Sequence, residues 1–234
     1  MIYPDPDAWR AAPRKRVALF GMSGLGKTHV SSMLRKAGGW FHYSVDYRIG
    51  TRYMGELIVD NAKREAMKVP FLADLLRSDS IYISSNLTFE NLDPLSSYLG
   101  TPGDPDKHGL PLAEYQRRQE QHRIAEIAAL QDVPHFIERA KLLYGYDNFI
   151  ADTGGSLIEV VDPSDSQDPV IRTLAAATTM LYIRGTGKDA AELIRRYKKS
   201  PKPMYYPPGF LVEKWAEYKL IHGILDDRDV DPAG

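Results

Sequence analysis

Eight consecutive residues near the start of the chain have the types and spacing of a loop that binds nucleotide phosphates. They read Gly21-Met22-Ser23-Gly24-Leu25-Gly26-Lys27-Thr28 and match the pattern G-x-x-x-x-G-K-[ST]. Glycines let the backbone curl so that successive N–H groups point at phosphate oxygens, and the N-terminus of a following helix adds partial positive charge. The lysine reaches the β- and γ-phosphates, and the threonine hydroxyl binds Mg²⁺. We expect ATP and Mg²⁺ here, with the nucleotide held by Gly21, Ser23, Gly24, Leu25, Gly26, Lys27, Thr28 and His29.

Two acids follow apolar runs that are typical of buried strands. Asp152 closes the run 148–152 and can hold Mg²⁺ directly or through water, although an acid here can also cap a surface turn. Asp46 closes the run 40–46 and can bind the hydroxyl of an acceptor and take its proton, unless it serves as a helix cap. Gly154 and Gly155 follow Asp152 and would let a substrate approach the backbone closely.

Basic residues occur in two places where a substrate anion could meet them. Arg48 and Arg52 follow Asp46 and either face a substrate phosphate or carboxylate or lie at a solvated helix start. The segment 184–202 holds seven basic residues against two acids, and we expect 185–204 to form a basic lid helix. Its Arg195 and Arg196 can stabilise a phosphoryl group in transfer or contact a nucleic-acid backbone; the alternative is a solvated helix face.

Strands and helices alternate around these residues. The pattern predicts strands over 16–20, 40–46, 148–152 and 179–183, and helices over 29–37, 169–177, 189–199 and 210–224. This alternation predicts an α/β fold of the P-loop NTPase type, with a mainly parallel sheet covered by helices on both faces. Right-handed crossovers would bring the glycine-rich loop, Asp46 and Asp152 to one carboxyl edge of that sheet.

The stretch 50–145 interrupts the alternation and reads as a mostly helical insertion. We expect helices over 50–69, 71–76, 112–130 and 133–144, and a short strand or buried turn at 81–83. The residues 86–111 read as an irregular loop, which at this length is typical of a lid or a binding loop. The helix over 112–130 has an apolar stripe that includes Ile124, Ile127 and Ala128. We therefore expect one domain, 1–234, in which 50–145 binds substrate or closes over it.

Composition narrows the possible functions. The chain has 234 residues, 43% of them hydrophobic, which suits one large α/β domain. Its net charge of −1 gives no overall field that attracts nucleic acid or an anionic membrane. The absence of cysteine excludes disulfides, thiolate metal sites and cysteine nucleophiles, and the six histidines lack metal-ligand spacing. No apolar run is long enough for a membrane span, so we expect no membrane partner and a cytoplasmic location.

Taken together, these residues resemble the small P-loop kinases, a family that includes shikimate, gluconate and nucleoside monophosphate kinases. The resemblance covers the loop with its helix, the acid after the second strand, the later glycine pair and the basic helix. Shikimate kinases carry Asp-x-Asp at the second strand, and Ser44-Val45-Asp46 matches only its second acid. The resemblance implies that Asp46 binds the acceptor hydroxyl and that Arg195 or Arg196 is the lid arginine.

The insertion, residues 50–145, has no counterpart in the shorter kinases. We therefore expect it to determine which substrate is bound. Together with 109–160 it resembles bacterial and phage proteins labelled as ATPases, including phage kinases that phosphorylate the hydroxymethyl group of 5-hydroxymethyluracil in DNA. The implied acceptor is a hydroxyl of a nucleotide, a sugar or a modified base in DNA.

Two other functional classes use the same loop. One is a P-loop ATPase or nucleotide-switched binding protein without a small acceptor. The other is a GTPase, since 152–155 fits D-x-x-G. Against the GTPase, the segment 185–189 does not fit the guanine-selecting [NT]-K-x-D, and the gap between the loop and Asp152 is too long.

Overall fold

The computed structural model describes residues 2–199 and 204–232, which divide into two compact units. The first unit is Met1–Asp46 with Arg123–Tyr205, and the second is Tyr47–His122 with Tyr206–Gly234. In chain order the elements are α1 (Pro6–Ala11), β1 (Arg16–Phe20), α2 (Lys27–Ala37), β2 (Trp40–Ser44), α3 (Val45–Arg48), a π-helix (Ile49–Tyr53), α4 (Gly55–Ala66), α5 (Pro70–Arg77), α6 (Asp93–Leu99), a 3-10 turn (Pro105–Lys107), α7 (Leu112–Gln131), α8 (Val133–Tyr144), β3 (Asn148–Asp152), α9 (Leu157–Val160), α10 (Pro169–Ala177), β4 (Thr179–Tyr182), α11 (Gly187–Lys199), α12 (Pro208–His222) and a 3-10 turn (Asp227–Asp229).

A four-stranded, all-parallel sheet forms the centre of the first unit. Its strand order is β2-β3-β1-β4. In the register, Asp152 lies beside both Leu19 of β1 and Ser44 of β2. The predicted α/β fold with a parallel sheet is therefore confirmed, and the ends of β1, β2 and β3 meet at one edge.

Helices cover both faces of this sheet, as the apolar runs of the strands require. On one face, Phe149 stacks on Phe41, and Tyr43 packs against Phe136 of α8. The Tyr43 hydroxyl donates a 2.7 Å hydrogen bond to a backbone carbonyl of α7, which satisfies its polar end inside the core. On the other face, Val17, Leu19 and Ile150 pack with partly buried residues that include Leu34 of α2. Because side chains alternate along a strand, Asp152 shares the face of Ile150 and α2.

The second unit is helical and has its own core. Among its buried residues are Ile49, Met54, Ile58, Leu95, Tyr98, Leu99 and Tyr115. Arg118 lies within this core, where its guanidinium donates to Glu114, Asn61 and the carbonyl of Tyr98. The loop before α7 is held to the C-terminal segment because Asp104 N donates to Val230 O at 2.8 Å.

Several local predictions are wrong. The second strand ends at Ser44, and Asp46 lies in the first turn of α3, where an acid is favoured by the helix dipole. Residues 81–83 form neither a strand nor a buried turn, and Tyr82 is 87% exposed. The segment 86–111 is not wholly irregular, since it contains α6 and a 3-10 turn.

The apolar stripe predicted for α7 is also wrong. Ile124 is 57% exposed, and the residues that α7 buries after it are Ala125, Glu126, Ala129 and Leu130. Within the described part of the chain, no helix is both long and apolar enough to cross a lipid bilayer.

Candidate functional site

The glycine loop, residues 21–26, joins β1 to α2 at the edge where the strands end. Gly24 and Gly26 adopt φ values of +83° and +92°, in the left-handed region that favours glycine. A Cβ on Gly21 would lie 2.5 Å from the carbonyl oxygen of Ile183, and one on Gly24 would lie 2.4 Å from the Leu193 side chain of α11. Gly21 and Gly24 therefore pack directly against Ile183 and α11, where a side chain would clash.

Lys27 is the first residue of α2, and its side chain folds back over the glycine loop. It is only 6% exposed, and its ammonium donates to the carbonyls of Gly21 at 2.7 Å and Met22 at 3.0 Å. Burial lowers the pKa of Lys27, while the charges of Asp46, Asp152 and Glu126 oppose that shift. One buried cation thus lies within the electrostatic reach of three carboxyl groups that come from three different elements.

Asp152 closes β3 and is 5% exposed. Its Oδ2 lies 3.8 Å from Nε2 of His42, which shares its face of the sheet. The next residue, Thr153, holds the chain close to β1, because both its amide and its hydroxyl donate to Leu19 O. The chain leaving β3 is therefore fixed beside the start of the glycine loop.

Gly154 and Gly155 lie between the glycine loop and two acids, Asp46 and Glu126. A Cβ on Gly155 would lie 2.6 Å from Cβ of Ser23 in the loop. A Cβ on Gly154 would lie 2.8 Å from both Asp46 Oδ1 and Glu126 Oε1. Those two carboxyl oxygens therefore flank the same backbone atom, and only glycine leaves room for them.

Glu126 is the residue of this cluster that the sequence interpretation missed. It is 0% exposed on α7, where burial and the neighbouring charge of Asp46 raise its pKa to about 8. A hydrogen bond with Ser156 opposes the shift, and the Ser156 oxygen itself accepts from Tyr205 N at 2.9 Å. Glu126 is consequently a protonated carboxyl at neutral pH. An acid among small apolar residues at helical spacing was the one signal for it in the sequence.

This raised pKa predicts how stability depends on pH. Between about pH 4.5 and about pH 8 the folded chain keeps a proton on Glu126 that the unfolded chain releases, so the free energy of unfolding falls as the pH rises through that window. Relative to Glu126→Gln, we expect the wild type to lose up to ~1.4 kcal/mol per pH unit. Urea denaturation of both proteins at several pH values in the window measures the difference. A constant difference across it would show that Glu126 is ionised when folded.

The remaining predicted site residues lie as follows. Thr28 and His29 are in the first turn of α2, half-buried and exposed respectively. Arg48 and Arg52 belong to the second unit; the Arg48 guanidinium lies 5.5 Å from the centre of the Tyr53 ring, and Arg52 is exposed.

The two arginines of the predicted lid are exposed. Arg195 and Arg196 both hydrogen bond to Glu192 on their own helix, so the structure does not bring them to the carboxyl cluster. Residues 200–203 of the predicted lid lie outside the described residues.

Within the described ranges, no three His, Asp or Glu side chains are arranged to hold a metal ion by themselves. Comparisons of the chain with protein-family models, with curated proteins and with solved structures each found no match.

Proposed function

We propose that this protein is a P-loop kinase that transfers the γ-phosphoryl group of ATP to a hydroxyl acceptor. The observation that carries the proposal is the position of Lys27, buried beside the glycine loop and within electrostatic reach of Asp46, Glu126 and Asp152. A nucleotide tail and its magnesium ion need a cradle of amides, one reaching cation and one acid. The glycine loop, Lys27 and Asp152, which lie at one edge of the sheet, support the assignment of these three parts to the first unit.

Each residue of the site has a task in this reaction. The amides of the glycine loop and the N-terminus of α2 bind phosphate oxygens. Lys27 exchanges its two carbonyl partners for the β- and γ-phosphates. Thr28 and Asp152 fit Mg²⁺, which prefers one or two protein oxygens plus phosphates to a full protein cage. When bound, the ion neutralises the charge that develops on the phosphates.

Asp46 binds the hydroxyl of the acceptor in this proposal. It lies beside Gly154, one residue from the contact between Gly155 and Ser23 of the glycine loop. A carboxylate in this place accepts the proton of an alcohol as the alcohol attacks the γ-phosphorus. The acceptor class is a hydroxyl of a nucleotide, a sugar or a hydroxymethylated base in DNA, and the exposed basic face of α11 suits the last of these.

Replacement of Asp46 tests the proposal. We expect Asp46→Asn to lower transfer by roughly 100- to 10,000-fold, the usual contribution of a general base, and to leave ATP affinity nearly unchanged. The assay is a screen for transfer of labelled γ-phosphate to sugars, nucleosides, nucleotides and DNA with or without hydroxymethylated bases.

Asp7→Asn is the matched control, because Asp7 is an exposed carboxylate on α1 whose partner is Arg10. Full transfer by Asp46→Asn would show that another group takes the proton. Rapid ATP hydrolysis with no labelled acceptor would favour the ATPase or nucleotide-switched binding protein instead.

A further inference from the structure

Glu126 is an unusual residue to bury in the first unit. Its neighbours on α7, Ala125, Ala129 and Leu130, are small or apolar and equally buried. A buried carboxyl is costly even in its neutral form unless hydrogen bonds compensate it. Ser156 provides one such bond. A carboxyl has capacity for more than one, because its protonated form donates from one oxygen and accepts at both.

The partner that Glu126 faces is the acceptor residue of the proposed kinase. Its Oε1 and the Oδ1 of Asp46 both lie 2.8 Å from the point where Gly154 would carry a Cβ. The two oxygens come from different elements, α7 and α3, and converge where the chain has no side chain. Both oxygens pack against the α-carbon of Gly154, so the two carboxyl groups lie close together beside the glycine loop.

We propose that Glu126 and Asp46 together form the acceptor subsite, in which both carboxyl groups hold the reacting hydroxyl and select an acceptor that carries no charge there. This inference rests on the proposed kinase function and adds a second acceptor-binding residue to it. A neutral Glu126 donates a hydrogen bond to the substrate, and the Asp46 carboxylate accepts the hydroxyl proton.

The reaction balances without another reagent. The acceptor oxygen forms a bond to the γ-phosphorus, and the bond from that phosphorus to the β,γ-bridging oxygen breaks with its electron pair leaving on ADP. The hydroxyl proton passes to Asp46. Glu126 keeps its proton throughout and serves only to bind and orient the hydroxyl, so no net charge is added to its buried position.

The charge of this subsite determines the class of acceptor. The charges of Asp46 and Asp152 act on a single cation, Lys27, and Lys27 is committed to the nucleotide in the proposed reaction. A phosphate acceptor, as in nucleoside monophosphate kinases, would place a further anion beside these two carboxylates, where like charges repel, and a neutral Glu126 would not offset that repulsion. An alcohol on a sugar or on a modified base avoids that repulsion.

The first test compares two acceptor pools with the whole protein and labelled MgATP. The alcohol pool holds glucose, thymidine, 5-hydroxymethyl-2′-deoxyuridine and a DNA oligonucleotide that contains 5-hydroxymethyluracil. The phosphate pool holds UMP, CMP and TMP. We expect label on a hydroxyl of the alcohol pool, and labelled nucleoside diphosphates would overturn the inference. Binding of MgATP with no label in either pool would contradict the proposed function and this inference with it.

The second test uses the labelled alcohol and two Glu126 variants. We expect Glu126→Ala to raise the acceptor KM at least ~10-fold, the loss of one good hydrogen bond, with the KM for ATP within about twofold of the wild type. Glu126→Gln keeps a donor and an acceptor in nearly the same shape and should stay within about threefold for both constants. The matched control is Ile124→Ala, an exposed position on the same helix.

An acceptor KM within about twofold of the wild type in Glu126→Ala would overturn the inference and leave the kinase proposal standing. Wild-type protein that binds no MgATP would instead contradict the proposed function. Glu126→Gln keeps the test decisive if the alanine variant does not fold, because an acceptor KM raised at least ~10-fold by the amide would exclude a neutral, proton-bearing Glu126.

Discussion

Replacement of Lys27 by methionine should strongly reduce phosphoryl transfer while the chain still folds. Methionine has a similar volume, and Lys27 is buried with its pKa lowered by desolvation, so loss of the ammonium removes an unfavourable burial as well as two hydrogen bonds. The proposed reaction, in contrast, loses the buried cation that we propose binds the phosphates. We expect kcat to fall roughly 100- to 1,000-fold, as for loss of one preorganised electrostatic group.

Lys36→Met is the control for this experiment, since Lys36 lies on the same helix and is exposed. Labelled γ-phosphate transfer measures activity, and thermal unfolding reports whether each variant is folded. A Lys27→Met protein that is folded and transfers phosphate at the wild-type rate would show that Lys27 is a structural residue of the loop.

Gly154→Ala should both destabilise the first unit and lower phosphoryl transfer. The added Cβ would lie 2.8 Å from an oxygen of each of two carboxyl groups, and Gly154 is itself buried, so Asp46 or Glu126 must shift. Overpacking of this kind costs about 1–3 kcal/mol of unfolding free energy. A displacement of the acceptor-holding carboxylate by ~1 Å should lower transfer about 100-fold.

The same substitution at Gly187 is the matched control. Gly187 begins α11, and a Cβ there would meet no atom within 4 Å. Alanine at Gly187 should therefore leave stability and transfer close to those of the wild type. If Gly154→Ala behaves in the same way, the convergence of Asp46 and Glu126 on that position has no functional consequence.

The features predicted well from sequence are those whose signal is local. The glycine loop sets its own geometry, and the apolar runs on either side of it could form only a buried strand and a helix, as β1 and α2 do. The run 148–152 is equally clear, because every residue after Asn148 is buried. A parallel sheet follows from their alternation with helices.

The position of Asp46 was less accessible to sequence reasoning. The aromatic and β-branched residues of 40–45 continue a strand pattern up to the acid, yet the chain turns into α3 immediately after Ser44. Strand and helix propensities barely differ for a Val-Asp pair at such a boundary, so tertiary packing decides it. The acid still reaches the expected sheet edge.

Glu126 could not be found by hydrophobic periodicity. Residues 124–130 contain isoleucines and alanines on several faces of α7. More than one face of the helix therefore looks apolar in the sequence, and the face that includes Ile124 is exposed in the structure. The correct phase contains an acid, which a hydropathy pattern assigns to solvent. Its proximity to Gly154 and Asp46, which are far away in sequence, is not encoded in the local pattern.

Equilibrium dialysis of the whole protein against labelled ATP with Mg²⁺ tests directly whether the glycine loop binds a nucleotide. We expect one ATP bound per chain, with affinity weakened at least ~10-fold in Lys27→Met and unchanged in Lys36→Met. Failure of the wild-type protein to bind ATP, or equal binding by both lysine variants, would contradict a phosphate site at the glycine loop.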